Sequence, residues 1–291
     1  MSSAFAHKLK EKRDWFIDNH LMSLNALKKS RYRLRQREGA FAYVAKDSNG
    51  LKFLYAPSDL KIGIALHESG GWQREELNHY LEFVTARARG KKACFFDMGA
   101  NIGTQTVYAS KSRLFSQVFA IEAIPYIYEL LTANVVLNEC TDNTTCFNNA
   151  LGAEYGQEKF LFNPLNPGHS KRDDGDVNCR EIMLDVVKTA DFVSERVNGE
   201  GKPDLLVFWI DVEGMEEEIV LDVQDLCTNF ETYFCVEYNS DNYRNTPGLS
   251  LRAFVESREE IYRLDASGLQ VIPDLSDVQH NQDIVFSGKA R

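Results

Sequence analysis

Two carboxylates that each close an apolar run, and two glycines four apart, are where chemistry could reside in this sequence. Ala93–Phe96 ends on Asp97, and the turn that follows, DMGANIG, carries Gly99 and Gly103. Gln117–Ile121 ends on Glu122, 19 residues past Gly103. Such a strand–turn–helix joint holds ligands at the carboxyl end of the first strand of an α/β sheet. A dinucleotide turn, G-x-G-x-x-G, would need further glycines at 101 and 104, where Asn101 and Thr104 stand. Backbone N–H groups then lack their close approach to a pyrophosphate, and the charge of Asp97 would repel a phosphate. The same charge suits a ligand with a cationic amino-acid end and no phosphate, as in S-adenosylmethionine (SAM). Glu122 stands near the spacing of about 20 residues expected of an acid that holds a ribose diol. A solvated carboxylate at a strand end is the plainer alternative.

These residues need a frame, and the chain supplies one. From residue 93 on, strand and helix patterns alternate as in a parallel sheet covered by helices. Strands are expected at Ala93–Asp97, Gln117–Glu122, Thr145–Leu151, Leu205–Asp211 and Tyr233–Tyr238. Leu205–Asp211 is apolar on both faces and so central. Helices are expected over Ile102–Lys111, from Pro125 to about Asn138, from Gly214 onward and over residues 249–263. Phe160–Phe162 extends a polar hairpin, and Leu269–Ile272 and Asp283–Phe286 read as closing strands. Ahead of the frame, alternation around an SNG turn predicts a hairpin, Phe41–Lys46 with Leu51–Ala56, then a helix over 72–90. Residues 1–38 are helix-compatible and basic, with an apolar stripe at Leu9, Trp15, Phe16, Leu21, Leu24 and Leu27. The loop 163–180 breaks all pattern and reads as a lid over the strand ends.

Composition bounds the rest. The 291 residues carry a net charge of −10, which argues against a nucleic-acid partner. Residues 1–40 run against that balance at +6. Six scattered cysteines form no C-x-x-C pair, which points to a reducing compartment without structural zinc. No apolar run reaches the 18 or so residues of a membrane span, and the start has no signal-peptide core, so a cytoplasmic protein is expected.

DMGANIG, IEAIP, NNALG, IDVEGMEEEIV and CVEYN together resemble the FkbM-type family of class I SAM-dependent methyltransferases, over residues 93–286. The family pattern usually has a lysine two places before the Asp of DVEG; Trp209 stands there in this chain. The resemblance implies a Rossmann-like α/β fold with a seven-stranded, mostly parallel sheet and one antiparallel strand. It divides the chain into an extension, 1–90, and a methyltransferase domain, 91–291. It places SAM across the strand ends, with Asp97, Gly99, Asn101 and Gly103 at the methionine end. Glu122 would take the ribose, Ala123 and Ile124 the adenine face, and Asn149 the adenine amino group.

On the acceptor side, Asp211 and Glu213 end the fourth strand beside the expected methyl group, and Glu237 ends the fifth. A hydroxyl acceptor needs a base or a metal to take its proton, whereas an amine only has to arrive deprotonated. Asp211 and Glu213 would also serve as helix cap and first-turn acid. His169, in the loop 163–180, is the histidine best placed for a general base. Asp211, Glu237 and Asn239 are hard oxygen ligands of the kind Mg²⁺ takes, but no metal motif is present and a metal is not favoured. The leading expectation is O-methylation of a sugar, glycan or polyketide-like small molecule. N-methylation of a small-molecule or sugar amine, or a non-catalytic SAM-binding partner protein, are the alternatives. The acceptor's identity and the oligomeric state have no signature in the sequence.

Overall fold

The computed structural model describes residues 42–56, 59, 61–162, 180–199, 201–239, 250–276, 278 and 281–290. The basic stretch 1–38 and most of the loop 163–180, His169 included, lie outside the described residues. The expected hairpin is β1 (Tyr43–Lys46) with β2 (Lys52–Tyr55). Helices α1 (Ile62–Glu68) and α2 (Arg74–Arg87) lead into β3 (Ala93–Met98), α3 (Thr104–Ser112), β4 (Phe115–Ile121), α4 (Pro125–Leu137) and β5 (Thr144–Phe147). Then come β6 (Ala150–Gly152), β7 (Gly156–Phe162), β8 (Arg180–Lys188), α5 (Thr189–Val197), β9 (Leu205–Ile210) and α6 (Glu216–Asp222). The chain closes with β10 (Glu231–Tyr238), α7 (Leu251–Glu256), β11 (Ile261–Asp265), β12 (Gly268–Val271) and β13 (Gln282–Ser287).

The main sheet has eight strands in the order β12-β11-β13-β10-β9-β3-β4-β5. β5, β4, β3, β9 and β10 are parallel. β13 runs against β10, and β12 against β11. The sheet thus has eight strands where seven are expected, the unexpected one being β11, and two strands, β13 and β12, run against the parallel core instead of one. A second sheet, β6-β8-β7, was not expected. The single strand anticipated over Thr145–Leu151 is divided between the two sheets. Asn148 turns the chain at the break, donating from its amide to the carbonyls of Glu122 and Ala123 at 2.8 and 2.9 Å. The helix anticipated over 249–263 stops at Glu256, and its second half is strand β11. Ile261 and Leu264 match a helical spacing, but pairing with β13 overrides that local preference.

Five phenylalanines lock this sheet. Phe119, Phe96, Phe208, Phe234 and Phe286 stand at matching register on β4, β3, β9, β10 and β13. Their neighbouring ring centroids lie 4.9, 5.2, 4.9 and 5.0 Å apart. Pairs of this kind contribute about 0.5–1.5 kcal/mol each beyond area burial. The ladder has a functional result. Three residues beyond it on the parallel strands come Glu122, Gly99, Asp211 and Glu237, so one aromatic row sets the height of all four.

The hairpin is fastened to the sheet domain by α4. The buried amide of Asn134 accepts from the N–H of Leu54 at 2.6 Å and donates to the carbonyls of Leu54 and Ile102, both at 2.8 Å. Asn138 exchanges bonds with Lys52 in the same manner. Phe53 and Tyr55 join one continuous core with the main sheet. Among the described residues, no helix is long and apolar enough to cross a membrane.

Candidate active site

The turn after β3 is shaped by close approaches. Gly99 has φ of 83°, and a Cβ there would lie 1.8 Å from the carbonyl oxygen of Asp211. The backbone N–H of Asp211 donates to the carbonyl of Met98 at 3.0 Å, so the loops after β3 and β9 are in direct contact. Asn101 also takes a left-handed conformation, φ 50°, in a residue with a short polar side chain that tolerates it. Gly103 serves packing: a Cβ there would meet Leu131 of α4 at 2.5 Å. A cleft open to solvent lies over these loops.

Glu122 lines the cleft and is 8% exposed. Its Oε2 accepts from the N–H of Asn101 at 2.9 Å and its Oε1 from the N–H of Ile124 at 2.8 Å. Each oxygen keeps a second lone pair, and a vicinal diol presents two hydroxyls at a spacing that fits. Burial raises its pKa to about 7, against the lowering effect of those N–H groups. Ala123, Ile124 and Asn149 line the same cleft. The amide of Asn149 bonds no described residue, unlike that of Asn148 next to it.

Asp97 is placed differently from the expectation. It is 1% exposed and does not line the cleft; its carboxylate accepts from the hydroxyl of Thr106 in α3. Burial raises its pKa to about 7. It ties the first strand to the helix that follows. Gly103 likewise lies outside the lining.

On the other side, Asp211 and Glu213 line the cleft and Glu237 does not. Removal from water pushes the Asp211 carboxyl well above the usual carboxylate range, and the charges of Glu237, Glu213, Asp283 and Glu216 push it the same way. Asp283 faces Glu237 across the β10–β13 register, and burial with the Glu237 charge raises its pKa to about 7. Glu213 sits at φ 54°, an unfavourable conformation for its side chain. Glu216 holds that loop by accepting from the N–H groups of Val212 and Gly214 at 3.2 and 3.0 Å. Asn239 donates its amide to Asn281 at 2.8 Å. Among the described residues, no three His, Cys, Asp or Glu side chains are grouped as they would be around a metal ion.

Several lining residues had no part in the expectation. Asp59, Lys61, Ile62, Trp72 and Gln73 enter from the segment around α1, and Phe160 from β7. Asp59 carried a readable signal, an acid just ahead of an apolar helical run. Trp209, where the family lysine is missing, also faces the cleft, and its ring packs 6.1 Å from that of Tyr80.

A family model described as the methyltransferase FkbM domain matches residues 97–264. A search of the curated proteins found no match. Among solved structures, methyltransferase FkbM from Methylobacillus flagellatus KT matches at 14% identity with a TM-score of 0.41, over 90% of this chain and 58% of that one. P. horikoshii TYW2 in complex with MeSAdo matches at 13% identity with a TM-score of 0.34, over 85% of this chain and 70% of that one. The B. subtilis M1A22 tRNA methyltransferase TrmK matches at 9% identity with a TM-score of 0.37, over 74% and 65%. At these scores the likenesses carry no argument about chemistry.

Proposed function

The chain belongs to the FkbM methyltransferase domain family, and on that premise we propose that it methylates a hydroxyl of a sugar, glycan or polyketide-like small molecule, with SAM as donor. Bound SAM supplies an electrophilic methyl on a sulfonium. The protein's part is to hold donor and acceptor in line and to take the acceptor's proton. Glu122 holds the ribose diol, Ala123 and Ile124 pack the adenine, and Asn149 offers its amide to the base. Gly99 and Asn101 let the backbone approach the donor. The extension 1–90 and the domain 91–291 both contribute to the cleft, and acceptor choice falls to Ile62, Trp72 and Trp209.

The observation that carries the hydroxyl reading is Asp211. Asp211 lines the cleft at the end of β9, and burial with the neighbouring acids raises its proton affinity, so its ionised form is a stronger base than an ordinary aspartate. Proton removal from a hydroxyl calls for such a group, and an amine acceptor does not. Glu213 and Glu237 act on Asp211, as acids that keep its proton affinity high; Glu213 also lines the cleft. The net charge of −10 supports a small-molecule rather than a nucleic-acid acceptor.

The test is methyl transfer from labelled SAM to paired acceptors that differ only in a hydroxyl or an amine, for wild type and Asp211→Asn. Transfer to hydroxyls that the variant loses is the expected result. Transfer to amines alone, undiminished in the variant, would replace O-methylation by N-methylation. A cleft that binds S-adenosylhomocysteine yet methylates neither would favour a binding protein.

A further inference from the structure

The amino-acid end of SAM is a zwitterion, an ammonium beside a carboxylate. With Asp97 turned toward Thr106, the residue that the sequence offers for the ammonium is missing from the lining. Four carboxylates do line the cleft: Asp59, Glu122, Asp211 and Glu213. Glu122 is committed to the diol, and Asp211 and Glu213 belong to the loop after β9. Asp59 is left, and it is 4% exposed. Its Oδ1 accepts from the N–H groups of Lys61 and Ile62 at 2.8 and 2.9 Å, and the N–H of Gly63 also stabilises the carboxylate. Among the described residues, Lys61 is the one Lys, Arg or His in the lining, and it forms no ion pair. Its Nζ lies 5.5 Å from the ring centroid of Trp72, over the indole face. Opposite charges two residues apart, in one wall of one cleft, match the two charges of an amino acid.

We propose that Asp59 and Lys61 clamp the amino-acid end of the cofactor, the Asp59 carboxylate accepting from its ammonium and the Lys61 side chain donating to its carboxylate. The inference rests on the reading of the cleft as a SAM site. It makes the segment ahead of α1 part of the donor site, although no family motif reaches it. Burial of Asp59 without a full counter-charge disfavours its ionised form. A bound ammonium supplies that charge, and the cost of burial becomes discrimination in favour of ligands that carry one.

The test uses two ligands that share an adenosine thioether and differ in the amino-acid end: S-adenosylhomocysteine and 5′-methylthioadenosine. Both are titrated calorimetrically into wild type, Asp59→Asn and Lys61→Met. Asp59→Asn keeps the Oδ1 acceptor that starts α1, and Lys61 is exposed, so both variants keep the fold; methylthioadenosine binding checks it. Wild type is expected to bind S-adenosylhomocysteine at least about tenfold more tightly than methylthioadenosine. Each variant should weaken S-adenosylhomocysteine by about tenfold and leave methylthioadenosine within about twofold. Unchanged S-adenosylhomocysteine affinity in both variants overturns the clamp and leaves the cofactor reading intact. So does equal loss of both ligands, which would mark a structural role. A wild type that binds neither compound overturns the cofactor reading, and the clamp with it.

Discussion

The two halves of the cleft are built on different principles. The half around β3 and β4 is held by the backbone: Gly99 at positive φ against Asp211, and Glu122 bonded by two N–H groups. The half around β9, β10 and β13 is held by side chains, with Asp211, Glu213, Glu237 and Asp283 gathered against their mutual repulsion. The first can tolerate almost no change in residue type and tells little about the acceptor. In the second, burial and the charges of Glu237, Glu213 and Asp283 raise the proton affinity of Asp211. On the proposed reading, the first half holds the donor and the second faces the acceptor.

The largest effect is expected where the halves touch. Gly99→Ala puts a methyl group on the Asp211 carbonyl and strains φ, so it should cost about 3 kcal/mol or more and abolish S-adenosylhomocysteine binding. A urea titration with near-wild-type midpoint would show that the halves are not coupled there. Asp211→Asn should lower turnover by about 10²–10⁴ while donor affinity stays as in wild type. A parallel loss of affinity would erase the division of labour. Glu122→Ala should do the reverse, weakening S-adenosylhomocysteine by about a hundredfold or more through two charge-assisted bonds of about 1.5–3 kcal/mol each.

The pH dependence sharpens the contrast. Asp97, Glu122 and Asp283 have native pKa values raised to about 7, above their unfolded values of 3.8, 4.5 and 3.8. Between those values and 7 the native chain binds more protons than the unfolded one. Their contribution to stability is therefore fully present below the unfolded values and is lost as pH rises through 7. Melting temperature without ligand should fall between pH 6 and pH 8. Donor affinity should rise over the same interval, because the diol needs Glu122 ionised. Parallel slopes would contradict the reading. The smallest effect belongs to Glu213→Gly, which relieves a left-handed residue and should raise stability by less than about 1 kcal/mol. A simultaneous drop in turnover would show that the Glu213 carboxylate takes part.

The same contrast explains what the sequence reveals. Gly99, Asn101 and Glu122 are legible because backbone geometry dictates residue type and spacing. Asp59, Lys61, Trp72 and Phe160 reach the cleft by tertiary packing from elements with no fixed spacing to it, so no pattern marks them. Other omissions had a signal. Ile182, Leu184 and Val186 alternate inward along β8, a period of two that identifies a strand. The stop of α7 at Glu256 had none, since Ile261 and Leu264 continue a helical spacing and only the pairing with β13 decides. The phenylalanine ladder is visible in sequence only once the strands are in register.

Asn134 gives the molecule a built-in clock. Its two amide hydrogens are shared between Leu54, in the hairpin, and Ile102, in the donor-side turn. Neither can exchange with deuterium from solvent until at least one of those segments parts from α4. A single side-chain resonance would thus time the breathing of the donor site, and its slowing on addition of S-adenosylhomocysteine would register the hairpin and the turn closing as one piece.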